Sequence, residues 1–444
     1  MKNNITRNIE NIYIHLPFCQ KKCFYCSFPV HAIGKNKQDN EHFDNIQQTY
    51  LKYIKQEIVQ TNIMLFKHHN QIWQKKPLKS IYFGGGTPSL FQPEYIKEIL
   101  NLIQSEGFFI QDDTEITMEC DPGTFDAEKI QFYEELKINR ISLGIQSFND
   151  KILQNLNRPQ NAQTNYEAIQ ILKNSAKFKY LSNVSIDLIM NQPQMTCSKD
   201  KNNLSINLNE VDQIWDQDLE QVVQLKPGHI SIYSLAIEPG SYFYEKNNFR
   251  EGQFPLPSDE RAADNFIKTH QKLSPIYNHY EISSYVRSDL NQPKHNPIYW
   301  EGNKDFLAFG MGASSLLNYR RYTRPKTVTR YYEYVEQLNK NPNFYLENGE
   351  DESDIQSQIE SILMGRLRTF QGLDLLDIKN SYGEDIYNII CNKIEMLLLK
   401  SPYLIFQNQR YLKLKCPEGY LVCDDIVAEI SYHLQKKIFR NKNK

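Results

Sequence analysis

Short β-rich runs alternate with amphipathic helical stretches along the first half of the chain, and this alternation constrains the fold more than any other feature. Strand–helix alternation predicts a parallel sheet with crossover helices, and six units are too few for a closed eight-stranded barrel. We therefore expect an α/β fold built on an open, partial (βα)6 TIM-like barrel. The predicted strands are Asn11–His15, Ser80–Phe83, Glu115–Glu119, Arg140–Ile145, Val184–Met190 and His229–Leu235. The predicted helices between them are Phe43–Met64, Pro93–Ser105, Ala127–Leu136, Asn165–Asn174 and Leu219–Leu225.

The pattern divides the chain into three expected segments. Residues 1–245 form the barrel, interrupted near residues 191–213 by a stretch rich in Asn, Gln, Ser and Lys that we interpret as an inserted surface loop. Residues 246–350 form a connector, and residues 351–444 form an α+β module similar to a winged helix. The elements predicted for this module are helices Ile355–Arg368 and Asp385–Leu399, strands Tyr403–Gln407 and Tyr411–Leu414, and a last helix Asp424–Lys436.

Composition excludes several classes of protein. The net charge of -2 and the absence of a basic face on the C-terminal module argue against nucleic acid as a partner. No apolar run is long enough to cross a bilayer. The first residues, Met1–Glu10, have no apolar signal core, so we expect a cytoplasmic protein. Without a signal peptide, the eight cysteines do not indicate a secreted disulfide framework.

Three of the cysteines lie close together, directly after the first predicted strand. Cys19, Cys23 and Cys26 have the spacing C-x3-C-x2-C, and three thiolates on one loop can hold three corners of a cubane cluster. One iron is then left open to chelate the amino and carboxylate groups of S-adenosylmethionine. An electron from the cluster cleaves the sulfonium to a 5′-deoxyadenosyl radical. We therefore predict a 4Fe–4S cluster that cleaves S-adenosylmethionine, with Tyr25 offering an aromatic edge near the adenine.

Two other interpretations of these cysteines are weaker. A structural zinc site requires four ligands, and no fourth Cys or His lies at finger spacing. The nearest candidate is His31, five residues beyond Cys26. A disulfide would leave one of the three thiols unpaired.

Glycines and a carboxylate follow the second and third predicted strands. Gly85, Gly86 and Thr87 come directly after the second strand. Glycines let the backbone approach a ligand closely, and their free amides and carbonyls can bind the methionine ammonium. A tight turn is the alternative interpretation. Glu119 ends the third strand, where its carboxylate can accept hydrogen bonds from ribose hydroxyls or from the ammonium.

The later strands carry four more candidate binding residues. Gln146 ends the fourth strand, and Arg158 follows shortly after, where it can hold the methionine carboxylate by a bidentate pair. Asp187 lies within the apolar fifth strand, where a charge is costly unless it is paired or functional. Ala236 follows the sixth strand. Each charged residue also fits a structural ion pair, but together they place polar groups at the edge where parallel folds bind ligands.

Residues from about Asn11 to Glu429 resemble the radical S-adenosylmethionine enzymes of the coproporphyrinogen-dehydrogenase-like group. The motifs that carry the resemblance occur in order along nearly the whole chain. They are Tyr13–Cys26, Gly84–Ser89, Glu119–Gly123, Gly144–Phe148, Asn157–Arg158 and Asp187. The resemblance adds Tyr13 to the expected cofactor contacts.

Two branches of that group differ at identifiable positions. The oxygen-independent coproporphyrinogen III oxidases typically carry a further cysteine two residues after the third one, where this chain has Phe28. The segment His295-Asn296-Pro297-Ile298-Tyr299-Trp300 is similar to the HNxxYW signature of the HemW-type haem chaperone branch, whose eukaryotic relatives are often mitochondrial. The resemblance implies a protein that binds haem and delivers it to apo-haemoproteins. An electron donor and a homodimer are further implied partners.

Within the HNxxYW segment, His295 offers an axial ligand for haem iron, while Tyr299 and Trp300 can flank a porphyrin face. A packed turn with a satisfied imidazole is the competing interpretation. Two other functions stay open at this point. One is an oxidase that decarboxylates coproporphyrinogen III, and the other is a binding module with a cluster that is not catalytic.

Overall fold

The computed structural model describes residues 7–34, 41–68, 72–193, 207–246, 255–302, 304–341, 343–347, 350–351 and 354–442. A nine-stranded sheet forms its centre, in the order β11-β1-β4-β5-β6-β7-β8-β10-β9. The strands of the first part of the chain are β1 (Arg7–Leu16), β2 (Phe18–Cys19), β3 (His31–Ala32), β4 (Trp73–Gly85), β5 (Glu115–Cys120), β6 (Arg140–Gln146), β7 (Val184–Met190), β8 (His229–Ser234), β9 (Tyr277–Glu281), β10 (Ser284–Arg287) and β11 (Leu307–Phe309).

The sheet is a partial barrel rather than a closed one. Strands β1 and β4 to β8 are parallel, β11 adds in parallel beside β1, and β10 and β9 close the other side in antiparallel pairing. The edge strands β11 and β9 do not pair with each other. Parallel strands share one direction, so the loops after β1 and β4 to β8 meet at one edge of the sheet. The predicted α/β partial barrel is confirmed.

Helices cover the outer face of this sheet. Sequence explains where several begin, because Asp126, Asn149 and Asn161 each accept a hydrogen bond from a backbone amide of the first turn that follows. The helices before residue 274 are α1 (Glu41–Asn62), continued by a π-helix (Ile63–His68), α2 (Pro93–Ser105), α3 (Ala127–Glu135), α4 (Asp150–Asn155), α5 (Ala162–Lys173), α6 (Leu208–Leu225), α7 (Tyr242–Lys246) and α8 (Asp259–Leu273).

Two expectations about the middle of the chain need correction. Helix α6 begins at Leu208, where the Asn207 side chain accepts from the Glu210 amide, so residues 208–213 are helical rather than part of a loop. The rest of the predicted insertion, residues 194–206, lies outside the described residues. The predicted connector also contributes β9, β10 and β11 to the main sheet. These strands are three to five residues long, too short to give a clear period-2 pattern.

The C-terminal part packs helices around a small antiparallel sheet, β15-β17-β16. Backbone hydrogen bonds join it to the barrel, from the Ile282 amide to Arg368 O and from the Phe370 amide to Tyr280 O. Its predicted helices and hairpin agree with the structure to within two residues, except that the last helix runs further. The remaining elements are β12 (Ser314–Leu317), β13 (Arg320–Thr323), α9 (Val328–Lys340), α10 (Phe344–Glu347), β14 (Glu350–Asp351), α11 (Ile355–Leu367), β15 (Leu373–Asp374), α12 (Leu375–Tyr382), α13 (Glu384–Leu398), β16 (Leu404–Gln407), β17 (Tyr411–Leu414) and α14 (Cys423–Lys442).

Within the described part of the chain, no helix is both long enough and apolar enough to cross a bilayer.

Candidate functional site

A cavity of about 410 Å³ opens at the carboxyl edge of the sheet. It brings together side chains that are far apart in sequence and that follow six different strands. Most of the predicted site residues line it: Cys19, Cys23, Tyr25, Cys26, Gly85, Gly86, Thr87, Glu119, Gln146, Arg158, Asp187 and Ala236.

The cysteine loop lies directly against the glycine turn. The Gly86 amide donates to Leu16 O at 2.9 Å, and the Thr87 amide donates to Phe18 O at 2.7 Å. A Cβ on Gly86 would lie 2.6 Å from Pro17 O, which is closer than carbon and oxygen can approach. The glycine at 86 is therefore required for this close approach of two backbones, whatever contacts a ligand adds.

The other side of the cysteine loop is held by the segment after α4. The Phe24 amide donates to Leu156 O at 3.0 Å, and the Asn157 side-chain amide donates to Lys22 O at 2.8 Å. The Phe24 ring stacks on Tyr242 with ring centroids 4.2 Å apart. Contacts within the chain therefore hold the loop that carries the three thiols from both sides.

Arg158 joins the cysteine loop to the strand ends. Its Nη2 donates to Asp121 Oδ1 at 2.6 Å and to Gly144 O at 3.0 Å, while Nη1 lies 3.4 Å from Cys23 Sγ and 3.4 Å from the Tyr25 hydroxyl. Burial lowers the pKa of Arg158, but Asp121, Tyr25 and Cys23 together outweigh burial, and the net shift of the pKa is upward. The guanidinium is a fixed positive charge beside the thiol of Cys23.

This geometry corrects the predicted role of Arg158. A bidentate pair with a ligand carboxylate needs two free donors side by side, and Nη2 is already committed to Asp121. Only Nε is buried without a hydrogen-bond partner. Arg158 therefore positions the cysteine loop. A ligand could contact only the donors that Asp121 and Gly144 do not occupy, which are on Nη1 and Nε.

Asp121 is the residue that the sequence interpretation missed. Besides holding Arg158, it accepts from Thr87 Oγ1 at 3.1 Å, and that hydroxyl lies 3.7 Å from Cys19 Sγ. A Cβ on Gly144 would lie 2.5 Å from Asp121 Oδ1, so this glycine leaves room for the carboxylate. The available signal was a second carboxylate two residues after Glu119, just past the end of β5.

Glu119 and Asp187 form the acidic floor of the cavity. Glu119 accepts from the Tyr82 hydroxyl at 2.8 Å and from the Gly85 amide at 3.0 Å, and burial raises its pKa to about 7. Asp187 accepts from the hydroxyls of Ser142 and Ser185, and burial raises the pKa of this carboxyl too. A cationic group bound here would favour the ionised form of both carboxyl groups.

Two predicted binding residues do not line the cavity. Tyr13 lies below it inside the barrel, where its hydroxyl meets His15 Nδ1 at 3.2 Å and its ring stacks on Tyr82. His295 is 1% exposed, with Nδ1 at 2.7 Å from Ser80 Oγ and Nε2 at 2.8 Å from the Tyr299 hydroxyl.

The prediction that His295 is an axial haem ligand therefore needs correction. Both of its ring nitrogens are engaged, and the imidazole has no access to a porphyrin face in this structure. The neighbouring Trp300 is covered by the Arg368 guanidinium, 4.1 Å from the ring centroid. The packed turn with a satisfied imidazole is the interpretation that the structure supports.

The donor set fits an iron–sulfur cluster better than a single ion. Among the described residues, only one trio of His, Cys, Asp or Glu has all its ligand atoms within 4.8 Å of one another, and that trio lies outside this cavity. The sulfur atoms of Cys19, Cys23 and Cys26 are therefore not all within 4.8 Å of one another. A cubane needs wider spacing because each thiolate binds a different iron. Burial raises the pKa of the Cys19 and Cys26 thiols. Bound iron, as a positive charge, reverses that preference.

Comparison with known proteins agrees with this geometry. Residues 13–193 match the family model of the radical SAM superfamily. The chain is 34% identical to the haem chaperone HemW of Synechocystis over 80% of this chain and 76% of the relative. It is 38% identical to HemW of Haemophilus influenzae over 70% of each.

The chain belongs to the HemW family of radical SAM proteins. Membership implies a 4Fe–4S cluster and S-adenosylmethionine as cofactors, and the three cysteines and the cavity beside them fit both. A relative in Dictyostelium discoideum, named as a mitochondrial radical S-adenosylmethionine domain-containing protein, is 27% identical over 95% of this chain and 94% of the relative. The fold also matches coproporphyrinogen III oxidase (HemN) from Escherichia coli, with a TM-score of 0.71 and 18% identity over 98% of this chain and 91% of that one.

Proposed function

We propose that this protein is a haem chaperone that binds haem and transfers it to apo-haemoproteins. The observation that carries the proposal is the 34% identity to a haem chaperone over 76% of that relative's length. The structural match to the oxidase has 18% identity and supports the fold alone.

Phe28 favours the chaperone over the oxidase. It occupies the position where the resemblance implies a further cysteine in the oxidases, and it is 66% exposed at the rim of the cavity. An exposed phenylalanine offers no thiol, but it offers an apolar surface. Tyr233, 49% exposed, lines the same cavity. Flat aromatic faces of this kind suit contact with a porphyrin.

We place the haem at this rim rather than at His295. Phe28 and Tyr233 supply apolar area, and the exposed Lys21 offers an ammonium that can pair with a haem propionate. The buried imidazole of His295 holds the barrel interior together through Ser80 and Tyr299 instead. Haem on the rim would lie beside the cysteine loop. Binding of haem would therefore be coupled to binding of the iron–sulfur cluster through Phe28.

The residues of the inner cavity have roles in holding the cluster and S-adenosylmethionine. Cys19, Cys23 and Cys26 would ligate three irons, and the bound cofactors would supply one-electron chemistry. Burial disfavours the charged forms of Glu119 and Asp187, so the cationic end of the methionine group would stabilise both carboxylates when it binds beside them. This proposal extends to the remaining contacts, which are Tyr25, Gly85, Gly86, Thr87, Gln146 and Ala236.

The recipients, the electron donor and the assembly follow from the same proposal. We propose that apo-haemoproteins receive the haem, that a separate donor reduces the cluster, and that the protein acts as a homodimer. The three segments 1–245, 246–350 and 351–444 are proposed as functional units, with the last packing on the barrel. We propose a cytoplasmic or a mitochondrial location, and the mitochondrial relative in Dictyostelium discoideum supports the second.

One anaerobic sample can test the proposal against both alternatives. The reconstituted protein is titrated with haem, then incubated with coproporphyrinogen III, reductant and S-adenosylmethionine. We expect saturable haem binding and no protoporphyrinogen IX. Formation of protoporphyrinogen IX would support the oxidase, while haem binding without reductive cleavage of S-adenosylmethionine would support a non-catalytic module.

Variants of two aromatic residues locate the haem. Phe28→Ala is expected to weaken haem binding about 10-fold, because an exposed aromatic face is lost. Phe109→Ala is the matched control, because Phe109 is 59% exposed and lies outside the site cavity. Equal haem affinity in the two variants would argue against the rim.

A further inference from the structure

Two histidines and a cysteine converge at the junction of the barrel and the C-terminal part. His270 lies near the end of α8, His279 lies on the edge strand β9, and Cys416 follows β17. The two Nδ1 atoms are 3.1 Å apart, and Cys416 Sγ lies 3.3 Å from His279 Nδ1 and 3.7 Å from His270 Nδ1. All three ligand atoms lie within 4.8 Å of one another.

These separations match those of ligands around one tetrahedral zinc ion. Bond lengths of about 2.0–2.1 Å for nitrogen and about 2.3 Å for sulfur place two nitrogens about 3.3 Å apart, and sulfur and nitrogen about 3.6 Å apart. The observed distances of 3.1, 3.3 and 3.7 Å lie around those values. Imidazole and thiolate are also the ligands that zinc prefers.

The histidine on the edge strand is oriented as a ligand should be. His279 Nε2 lies 3.0 Å from Ile282 O, and a carbonyl only accepts, so this nitrogen carries the proton. The Nδ1 lone pair of His279 therefore points towards His270 and Cys416. A second hydrogen bond that fixes the tautomer in this way is typical of metal-binding histidines. Tyr285 supports the ring from one face, with centroids 4.0 Å apart.

A carboxylate lies near the trio. Glu418 lies two residues after Cys416, and its Oε2 atom is buried without a hydrogen-bond partner. The carboxylate interacts electrostatically with both His270 and Cys416. Its oxygens do not lie within 4.8 Å of all three ligand atoms, so the carboxylate contributes negative charge near the ion and water would fill the fourth position.

We propose that His270, His279 and Cys416 bind one zinc ion, with water in its fourth position, and that this ion fastens the C-terminal part to the edge of the barrel. The ligands come from α8, β9 and the turn after β17, so one ion links three elements that are separate in sequence. Near the site, two backbone hydrogen bonds and the Arg368–Glu281 ion pair at 3.6 Å already join the same two parts. The site is distinct from the cysteine loop and independent of the proposed function.

Without a metal, the same atoms would form a simple hydrogen bond from His270 Nδ1 to His279 Nδ1. This alternative explains the 3.1 Å distance, and the Cys416 thiol would take part in it as a weak hydrogen-bonding group 3.3 Å from His279 Nδ1. The two arrangements therefore differ in whether the thiol at 416 matters for metal content.

The test measures zinc in the full-length protein. Because zinc can also occupy an empty cysteine loop, the parent is the Cys19→Ser/Cys23→Ser/Cys26→Ser variant, dialysed against a weak chelator. We expect about one zinc ion per chain by elemental analysis. Replacement by Co²⁺ is expected to give a sulfur-to-cobalt charge-transfer band. In the same background, Cys416→Ser should lose that band and most of the zinc.

Cys391→Ser is the matched control, because Cys391 is a half-buried thiol in the same C-terminal part. It should keep both the zinc and the cobalt band. If Cys416→Ser does not fold, His270→Gln, at a half-buried position, takes its place and should lower zinc affinity at least about 10-fold. A parent without zinc or a cobalt band, or variants of Cys416 and His270 that retain them, would overturn the proposal.

Discussion

The Arg158–Asp121 pair gives the sharpest prediction about the site. The two side chains are 6% and 18% exposed and meet at 2.6 Å, so little water screens them. Breaking one partner of a buried ion pair typically costs about 3–5 kcal/mol, because the remaining charge is left uncompensated. Asp121→Asn keeps an acceptor for Arg158, and Gly144 O still accepts, so we expect a loss of about 3 kcal/mol in the free energy of unfolding.

Urea denaturation of the cluster-free protein, under anaerobic conditions, measures this loss. Asp112→Asn is the control, since Asp112 forms an exposed pair with Lys137 at 2.8 Å and its replacement should leave the free energy of unfolding almost unchanged. A double-mutant cycle with Arg158→Met should give a coupling energy above about 1 kcal/mol. A cost for Asp121→Asn no greater than that for Asp112→Asn, or a cycle without coupling, would show that this ion pair does not stabilise the fold.

Three further predictions concern burial and close packing. Between pH 4.5 and about 7, native Glu119 binds a proton that the unfolded chain has released, so the free energy of unfolding falls as pH rises through this window. The Glu119→Gln variant lacks this loss. In urea titrations, the difference in free energy of unfolding between the variant and wild type should therefore be up to about 3 kcal/mol more favourable to the variant at pH 8 than at pH 4. Arg324→Met leaves Glu57 buried without its cation and should lower the free energy of unfolding by about 3–5 kcal/mol; a loss under 1 kcal/mol would contradict this. Gly86→Ala forces a clash with Pro17 O, so iron content after reconstitution should fall several-fold, and full iron loading would show that the backbones can separate.

The parallel part of the fold was predictable because its signals are local. Strands β5, β6 and β7 are buried over most of their length, and each carries apolar residues at several positions, such as Ile141, Leu143 and Ile145 in β6. The cysteine spacing identified its loop, and knowing that parallel strands share an edge placed Glu119 and Gln146 near it. These inferences use only residues close together in sequence and the rule that the carboxyl ends of parallel strands lie at the same edge of a sheet.

What could not be predicted depends on contacts between distant residues. No residue near Arg158 in sequence indicates that its Nη2 group donates to Asp121. The HNxxYW segment has the residue types of a ligand site. The structure shows instead that one ring nitrogen of His295 is hydrogen-bonded to Ser80, which is 215 residues away in sequence. Helix α6 starts inside a polar stretch because its apolar face, including Trp215, packs on the barrel, and packing of this kind overrides composition.

The central claim is haem transfer, and the most direct measurement follows haem from this protein to a recipient. The haem-loaded, cluster-containing protein is mixed anaerobically with apomyoglobin, and the absorbance of the recipient's haem is recorded over time. A chaperone predicts that haem moves to the recipient, and that the Phe28→Ala variant, which should load less haem, delivers less. Haem that stays on the protein, or that moves no differently than from an unrelated haem-binding protein, would contradict the account.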